Sequence, residues 1–264
     1  MAKKNRRTLK RYFQKGALPT EDQFGDLIDS ALNTIDEGFD KSPENGFEIS
    51  LVGDHHRLIS FFRGGAAKDA VWSIDYDKEQ DRLFIRRPKS GEDESPAMTF
   101  DRNGRLGVNK EDPACTLDVG GVIAAEGRIG SNPDNQKTVA ADGKWHNITG
   151  ELRGCHAIEI VAGVGSKGTG NYALMHALAL NAFNPRGWLF NFLNLKKRIK
   201  YHQAYYLSRG NRIKLRWLTE GEHYYLQMRT VCGYGDAVKI RFYLTSLWFD
   251  EDMSESWNPD EAGD

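Results

Sequence analysis

Residues 101–121, DRNGRLGVNKEDPACTLDVGG, constrain this chain more than any other stretch. Asn103-Gly104 predicts a tight hairpin turn, because both residues tolerate the positive φ that a primed turn requires. Residues 105–108 then read as a short strand, Asp112-Pro113 as its stop, and 116–119 as a second strand ended by Gly120-Gly121. The apolar side chains of this ribbon are Leu106, Val108, Leu117 and Val119, too few to bury a core. Such a ribbon needs partners.

The order Asp-x-x-Gly-Arg-Leu-Gly-Val-Asn, then Pro, then Thr-Leu-Asp-Val-x-Gly resembles the neck repeat of trimeric phage tail fibres and related contractile-injection-system appendages. The resemblance covers about twenty residues. It implies that three chains intertwine here, with Asn103, Gly104, Leu106, Gly107, Pro113, Leu117, Asp118 and Val119 as neck residues. Read from the residues alone, a single β-hairpin within an ordinary all-β domain is the alternative. Many fibres with this neck carry a self-cleaving chaperone domain after it. No match to that chaperone's motif is present, so the chain is expected to stay intact.

The N-terminal segment predicts helices. Leu9, Tyr12 and Phe13 lie at helical spacing before Gly16. Thr20 and Gln23 form a capping box, opening a helix expected to run to about Gly38. Its apolar residues Phe24, Leu27, Ile28, Ala31, Leu32 and Ile35 make one broad stripe. The pattern Leu-Lys-Arg-Tyr-Phe, Leu-Pro-Thr-Glu-Asp-Gln-Phe, Leu-Ile-Asp-Ser resembles the N-terminal helical hairpin of tail-associated proteins of injection systems and Bacteroidetes phages. That resemblance implies an attachment end, with Phe24, Leu27, Ile28, Ala31 and Ile35 as the contacts.

Beyond Pro43–Gly46 the period switches to two. Strands are expected at 47–52, 58–62, 71–76, 82–87 and 97–101, a small antiparallel meander. A stalk continues past the neck through Val122, Ile123, Ala124 and Ala125 to a loop at 132–135. Eight further strands, at 145–152, 157–161, 172–180, 188–192, 199–207, 212–218, 224–230 and 238–249, predict a β-sandwich of jelly-roll type. Residues 172–180, YALMHALAL, also suit a helix, but the flanking Gly-rich turns favour a strand. The expected protein is mainly β and trimeric. Its parts are a helical attachment segment at 1–42, a meander at 43–98, a neck and stalk at 99–141, a sandwich at 142–252 and an acidic tail at 253–264.

Charge is unevenly spread. The net charge is −1, yet residues 1–16 carry seven cations and no acid, and residues 250–264 carry seven acids and no cation. Oppositely charged neighbours would be steered to such ends. No apolar run approaches the roughly 18 residues of a membrane span. The start MAKKNRRTLKR lacks an apolar signal region, so membrane insertion and general secretion are not expected. Three cysteines without paired spacing predict no disulfide framework, in keeping with assembly in a reducing cytoplasm before incorporation into a virion or injection particle.

From Ile160 to Thr219 there is no acid but ten cations, interleaved with aromatic rings such as Trp188, Tyr201 and Trp217. Cations beside rings suit anionic polymers through ion pairing and stacking. The candidate binding face comprises Lys167, Arg186, Trp188, Lys196, Lys197, Arg198, Arg212, Lys214 and Arg216. The near-neutral composition favours an anionic cell-surface polysaccharide over nucleic acid. The alternative is that acids of 220–252, or of another subunit, neutralise this run.

Catalytic signals are weak. Gly163-Val164-Gly165-Ser166-Lys167-Gly168 fits a dinucleotide fingerprint, but no acid follows about twenty residues on, and a hairpin loop is expected instead. His55-His56 would point to opposite sides of an extended chain and lack a third ligand. Neighbouring Cys155 and His156 face apart on a strand, leaving the thiol a buried apolar role. No metal, cofactor or catalytic residue is expected. The leading expectation is a non-enzymatic homotrimeric fibre or appendage subunit, bound to other particle proteins. Its alternatives are a cap or baseplate adaptor, and a glycan-cleaving enzyme should Glu220, Glu222 and Asp236 converge in a cleft.

Overall fold

The computed structural model describes residues 4–31, 38–51, 53–65, 69–87, 96–131, 136–182 and 197–256. The chain is mainly β, with two short α-helices among the described residues, and it divides into two compact units, Met1–Ala124 and Ala125–Asp264. No helix among the described residues is long and apolar enough to cross a membrane.

The first unit begins with a helical hairpin. Helix α1 spans Arg6–Tyr12, where Asn5 Oδ1 accepts from the Thr8 amide at 3.0 Å. Helix α2 spans Glu21–Asp29, and Gln23 Oε1 accepts from the Thr20 amide at 3.2 Å, the predicted reach back of the capping box. The helices meet through Phe13 and Phe24, whose rings pack edge to face at 5.5 Å. The Tyr12 hydroxyl also donates to Asp26 Oδ2 at 3.0 Å. Helix α2 ends well before Gly38. Ala31 lies past its end, and Leu32 and Ile35 fall outside the described residues.

A strand that the sequence reading does not foresee, β1 at Phe39–Ser42, pairs with β2 at Gly46–Ile49. Pro43 therefore sits in a hairpin turn, Gly46 takes φ +75°, and the Phe39 and Phe47 rings stack at 5.6 Å. Six more strands form one sheet: β3 Arg57–Phe61, β4 Trp72–Asp77, β5 Arg82–Arg86, β6 Met98–Phe100, β7 Leu106–Val108 and β8 Leu117–Val119. The meander and the neck thus share a sheet, with no break at residue 98.

A hairpin turn is present, but it is not the primed Asn103-Gly104 turn expected: the Gly104 amide donates to the Asp101 carbonyl at 3.0 Å, so Arg102 and Asn103 stand at its centre, and positive φ falls on Gly104 and not on Asn103. Gly104 takes φ +75°, and Asp101 Oδ1 accepts from the Asn103 and Arg105 amides. What the sequence reading misses is that β8 runs parallel to β7, Leu106 opposite Leu117 and Val108 opposite Val119. The eight residues between them make an unusually short crossover. It folds over Gly107, where an added Cβ would lie 2.4 Å from the Lys110 carbonyl oxygen. The same oxygen accepts from Thr99 Oγ1 at 2.8 Å, and the Pro113 carbonyl accepts from Arg105 at 3.2 Å. Asp118 Oδ2 closes the turn by accepting from the Ala114 amide at 3.0 Å.

The sheet of this unit has little core. Phe84 is its one buried large apolar side chain among the described residues, whereas Phe47, Phe61, Phe62, Trp72 and Leu117 are exposed. Residues 120–129 carry no secondary structure and are exposed throughout, including Val122 at 98% and Ile129 at 77%.

The second unit is a β-sandwich. One sheet orders β13 (Lys197–Tyr205), β12 (Asn171–Ala182), β11 (Cys155–Ser166), β16 (Lys239–Ser246) and β9 (Thr138–Ala140). The facing sheet orders β10 (His146–Asn147), β15 (His223–Thr230) and β14 (Ile213–Glu220). All pairings are antiparallel. Strand β9, which the sequence reading leaves within the stalk, pairs with β16 and belongs to the sandwich. Ile160, Ala162, Met175, Ala177, Ile240 and Phe242 from one sheet meet Ile213, Leu226 and Met228 from the other. A jelly roll interlocks two Greek keys of four strands. Here, among the described residues, the division is five and three, and β11, β12 and β13 follow one another as a meander. The strand expected at 188–192 and the loop at 132–135 lie outside the described residues.

Gly107→Ala is expected to lower the stability of the first unit by about 2 kcal/mol, because the Lys110 carbonyl cannot yield without breaking the crossover. Gly121→Ala meets no atom within 4 Å and is expected to leave the urea midpoint unchanged, which makes it the control for the same denaturation series.

Candidate functional site

The acid-free basic run does not form one face; the alternation of the strands divides it between the two sheets. Arg198 points outward from the larger sheet, opposite Leu180, with Lys200 opposite Leu178. Lys214 and Arg216 point outward from the smaller sheet, because Ile213, Leu215 and Trp217 turn to the core between them. Lys167 lies in the exposed turn between β11 and β12. Lys197 is used internally, its ammonium on Thr219 Oγ1 and 5.8 Å from the Tyr224 ring centre. Arg212 donates to the Arg209 carbonyl at 3.0 Å and lies 6.0 Å from the Tyr205 ring. Arg186, Trp188 and Lys196 lie outside the described residues.

Two faces result. The outer face of the larger sheet is apolar at its centre. Strand β12 turns Ala173, Met175, Ala177 and Ala179 inward, yet its outward residues include Tyr172, Leu174, Leu178 and Leu180. Leu174 is 60% exposed, and Val161 of β11 is 42% exposed nearby. Cross-strand His176 and His202 interrupt the apolar surface. Glu159 is held there by Arg128 and by His176, whose Nε2 lies 2.8 Å away. Ser131 bridges to Leu244 of β16, and Gly130 packs against the Leu244 carbonyl, where an added Cβ would lie 2.3 Å from the oxygen. Residues 128–131 therefore run against this sheet.

A groove of about 790 Å3 opens on the same face between Leu174, Tyr205 and Tyr206 on one side and Lys239, Arg241 and Tyr243 on the other. Its floor is Gly163 and Gly165. The glycine fingerprint thus lies partly in a strand rather than wholly in a loop: Gly163 and Gly165 belong to β11, and the chain turns only at 167–170 to return antiparallel as β12. No helix follows, so the βαβ context of a nucleotide site is missing. The Tyr172 ring covers Gly165, where an added Cβ would lie 2.3 Å from its Cδ1.

The outer face of the smaller sheet is polar. Arg216 Nε donates to Gln227 Oε1 at 2.8 Å, and Gln227 Nε2 donates to Asn147 Oδ1 at 2.7 Å, a chain across three strands. The guanidinium carbons of Arg216 and Arg229 lie 4.4 and 4.6 Å from the Trp145 ring centre. Trp145 is carried by a turn in which Gly143 takes φ +80°. Asp142 Oδ1 fixes that turn, 2.7 Å from His146 Nε2 and accepting from the Lys144 amide at 2.9 Å. Arg229, Arg241, Lys239 and Trp145 fall outside the sequence-derived face, since they lie beyond the acid-free stretch 160–219. The alternation Tyr225-x-Gln227-x-Arg229 was the available signal.

The acids on which catalysis would depend do not converge. Glu220 and Glu222 lie at the turn before β15, and Asp236 follows its far end. Among the described residues no three His, Cys, Asp or Glu side chains form a metal-binding group. Burial, with Asp250 and Asp252 nearby, pushes the Cys155 thiol up, away from the reactive thiolate. His156 Nε2 lies 2.7 Å from the Arg153 carbonyl oxygen. Of the attachment residues, Phe24, Leu27 and Ile28 are exposed on α2, Ala31 is exposed beyond it and Ile35 is outside the described residues. No family model matches the chain, and no curated protein matches it.

His146 and the Lys144 amide hold the Asp142 carboxyl below its usual range. Its contribution is therefore fully present above the unfolded carboxyl pKa, near pH 4, and lost as pH falls through the lower folded value. Asp142→Asn is expected to flatten the acid limb of the stability profile below about pH 4, as checked by urea unfolding at a series of pH values.

Proposed function

We propose that the chain is a non-enzymatic subunit of a homotrimeric appendage of tail-fibre type, belonging to a phage tail or contractile injection system. Its helical hairpin attaches it, the ribbon near residues 101–121 joins three chains, and the sandwich recognises a surface. The observation that carries this reading is β12, whose side chains are largely apolar on both faces while one chain covers only the inner one. Strands apolar on both faces belong where both faces are covered, and contiguous exposed apolar surface marks an interaction site.

Neighbouring chains fit that outer face. Strands β13, β12, β11 and β16 are eight to twelve residues long. At roughly 3.3 Å per residue and 4.8 Å between strands, they present on the order of 600 Å2, a large part of the roughly 800 Å2 per partner of a specific interface. Val122, Ile123 and Ile129 are further exposed apolar side chains that neighbouring chains could cover. The number three comes from the neck resemblance. Multivalent display would follow, since three weak sites on one rigid body raise the effective concentration of each. Assembly in the cytoplasm and later incorporation into a particle agree with three free cysteines.

Multi-angle light scattering is expected to give three times the chain mass of 29.8 kDa, and a stable monomer at micromolar concentration would overturn the proposal. Leu174→Glu with Leu178→Glu is expected to dissociate the sandwiches, at a cost of roughly 1.5 to 3 kcal/mol for each lost leucine burial, while the chain keeps its β circular-dichroism signal. Particles made without the gene are expected to assemble but fail to attach; failure to assemble would point to an adaptor instead.

A further inference from the structure

We infer that the outer face of the smaller sheet, built on Arg216, Arg229 and Lys214 around Trp145, binds the carboxylates of an acidic polysaccharide. This rests on the reading of the sandwich as a recognition domain; it keeps Lys214 and Arg216 of the nine candidates and adds Arg229 and Trp145. Lys214 and Arg229 are directly opposed across β14 and β15, and like charges in that relation destabilise a sheet. Arg216 and Arg229 share a single Trp145 ring at 4.4 and 4.6 Å. Among the described residues no carboxylate pairs with any of the three cations. Four positions along β14 separate Arg216 from Glu220, about 13 Å in a strand and beyond the roughly 10 Å over which exposed charges act at moderate salt. At that far end, Glu151 is already taken by His223 at 2.7 Å.

The cluster is also pre-formed. Gln227 is only 7% exposed, although it lies on the outer face, because the groups around it cover it. Its amide holds Arg216 by Nε, and the Trp145 ring lies beneath the guanidinium. Arg229 donates to the Gly143 carbonyl at 3.4 Å, while its buried Nε has no partner. Two oriented guanidiniums and an ammonium match planar carboxylates through forked hydrogen bonds. Asp142, the acid beside Gly143 in the chain, is engaged by His146 and the Lys144 amide and makes no ion pair with the three cations; like charges crowded in this way cost stability, so the cluster stands ready for a ligand that brings several negative charges. The flat amides of Gln227 and Asn147 border a surface on which a chain of sugars can lie.

Binding of a polygalacturonate oligomer to the full chain is measured by calorimetry at two salt concentrations, with neutral dextran, dextran sulfate and single-stranded DNA as the other arms. Polygalacturonate is expected to bind with an affinity that falls as salt rises, and neutral dextran is not. Arg216→Gln, at an exposed position, is expected to weaken it at least tenfold. Arg216→Lys is expected to fall in between, since it keeps the charge and loses the fork. Arg198→Gln on the opposite sheet is expected to change it less than twofold. No binding of polygalacturonate, equal losses at Arg198 and Arg216, or tighter binding of DNA or dextran sulfate would overturn the site. Light scattering on the same samples separates the two readings: a trimer that does not bind removes the site alone, and a monomer that binds removes the fibre reading alone.

Discussion

Strand β12 faces a constraint that one chain cannot satisfy. Its twelve residues alternate between two sides of the sheet, and both sides are largely apolar. The inner side is covered by the opposing sheet, where Met175 and Ala179 are fully buried. Leu174 and Leu180 on the outer side remain in water. Hydrophobic burial acts on area regardless of which chain supplies the cover, so a second molecule can complete what the sandwich leaves open. The exposed stripe of α2 and the exposed Val122 repeat the same imbalance elsewhere in the chain.

The rest of the second unit keeps this face flat and open. Small residues at Ala173, Ala177 and Ala179 let the sheets approach closely, and Gly163 and Gly165 remove side chains from the outer surface to make the groove floor. The glycine fingerprint therefore serves a sheet rather than a phosphate. The two sheets differ in their outward residues. The larger sheet carries leucines suited to a protein partner, and the smaller carries Lys214, Arg216 and Arg229, suited to an anion.

The first unit is built differently. Its six-stranded sheet buries Phe84 and little else that is large and apolar among the described residues, and its order depends on local polar devices. Asp75 is met by Arg57 at 3.4 Å and Arg86 at 3.5 Å, and the Lys110 carbonyl ties the crossover to Thr99. A sheet of this kind gains little from burial.

Much of the local structure was legible in residue order. Gly104 announced a turn though not its type, Thr20 and Gln23 announced their helix start, and Ile213-x-Leu215-x-Trp217 its inward face, because φ preference, capping and period-two alternation are properties of neighbours along the chain. YALMHALAL was readable only as strand or helix, since a run apolar on both sides has no period to choose by. The parallel pairing of β7 with β8, the placement of β9 beside β16 and the separation of Arg198 from Arg216 were not legible. Each depends on which strand lies next to which. Sequence by itself determined a β-rich chain with turns in defined places, a basic run and a ribbon lacking a core; the tertiary structure alone decided which cations stand together and which leucines stay uncovered, because partners across a sheet come from distant parts of the chain.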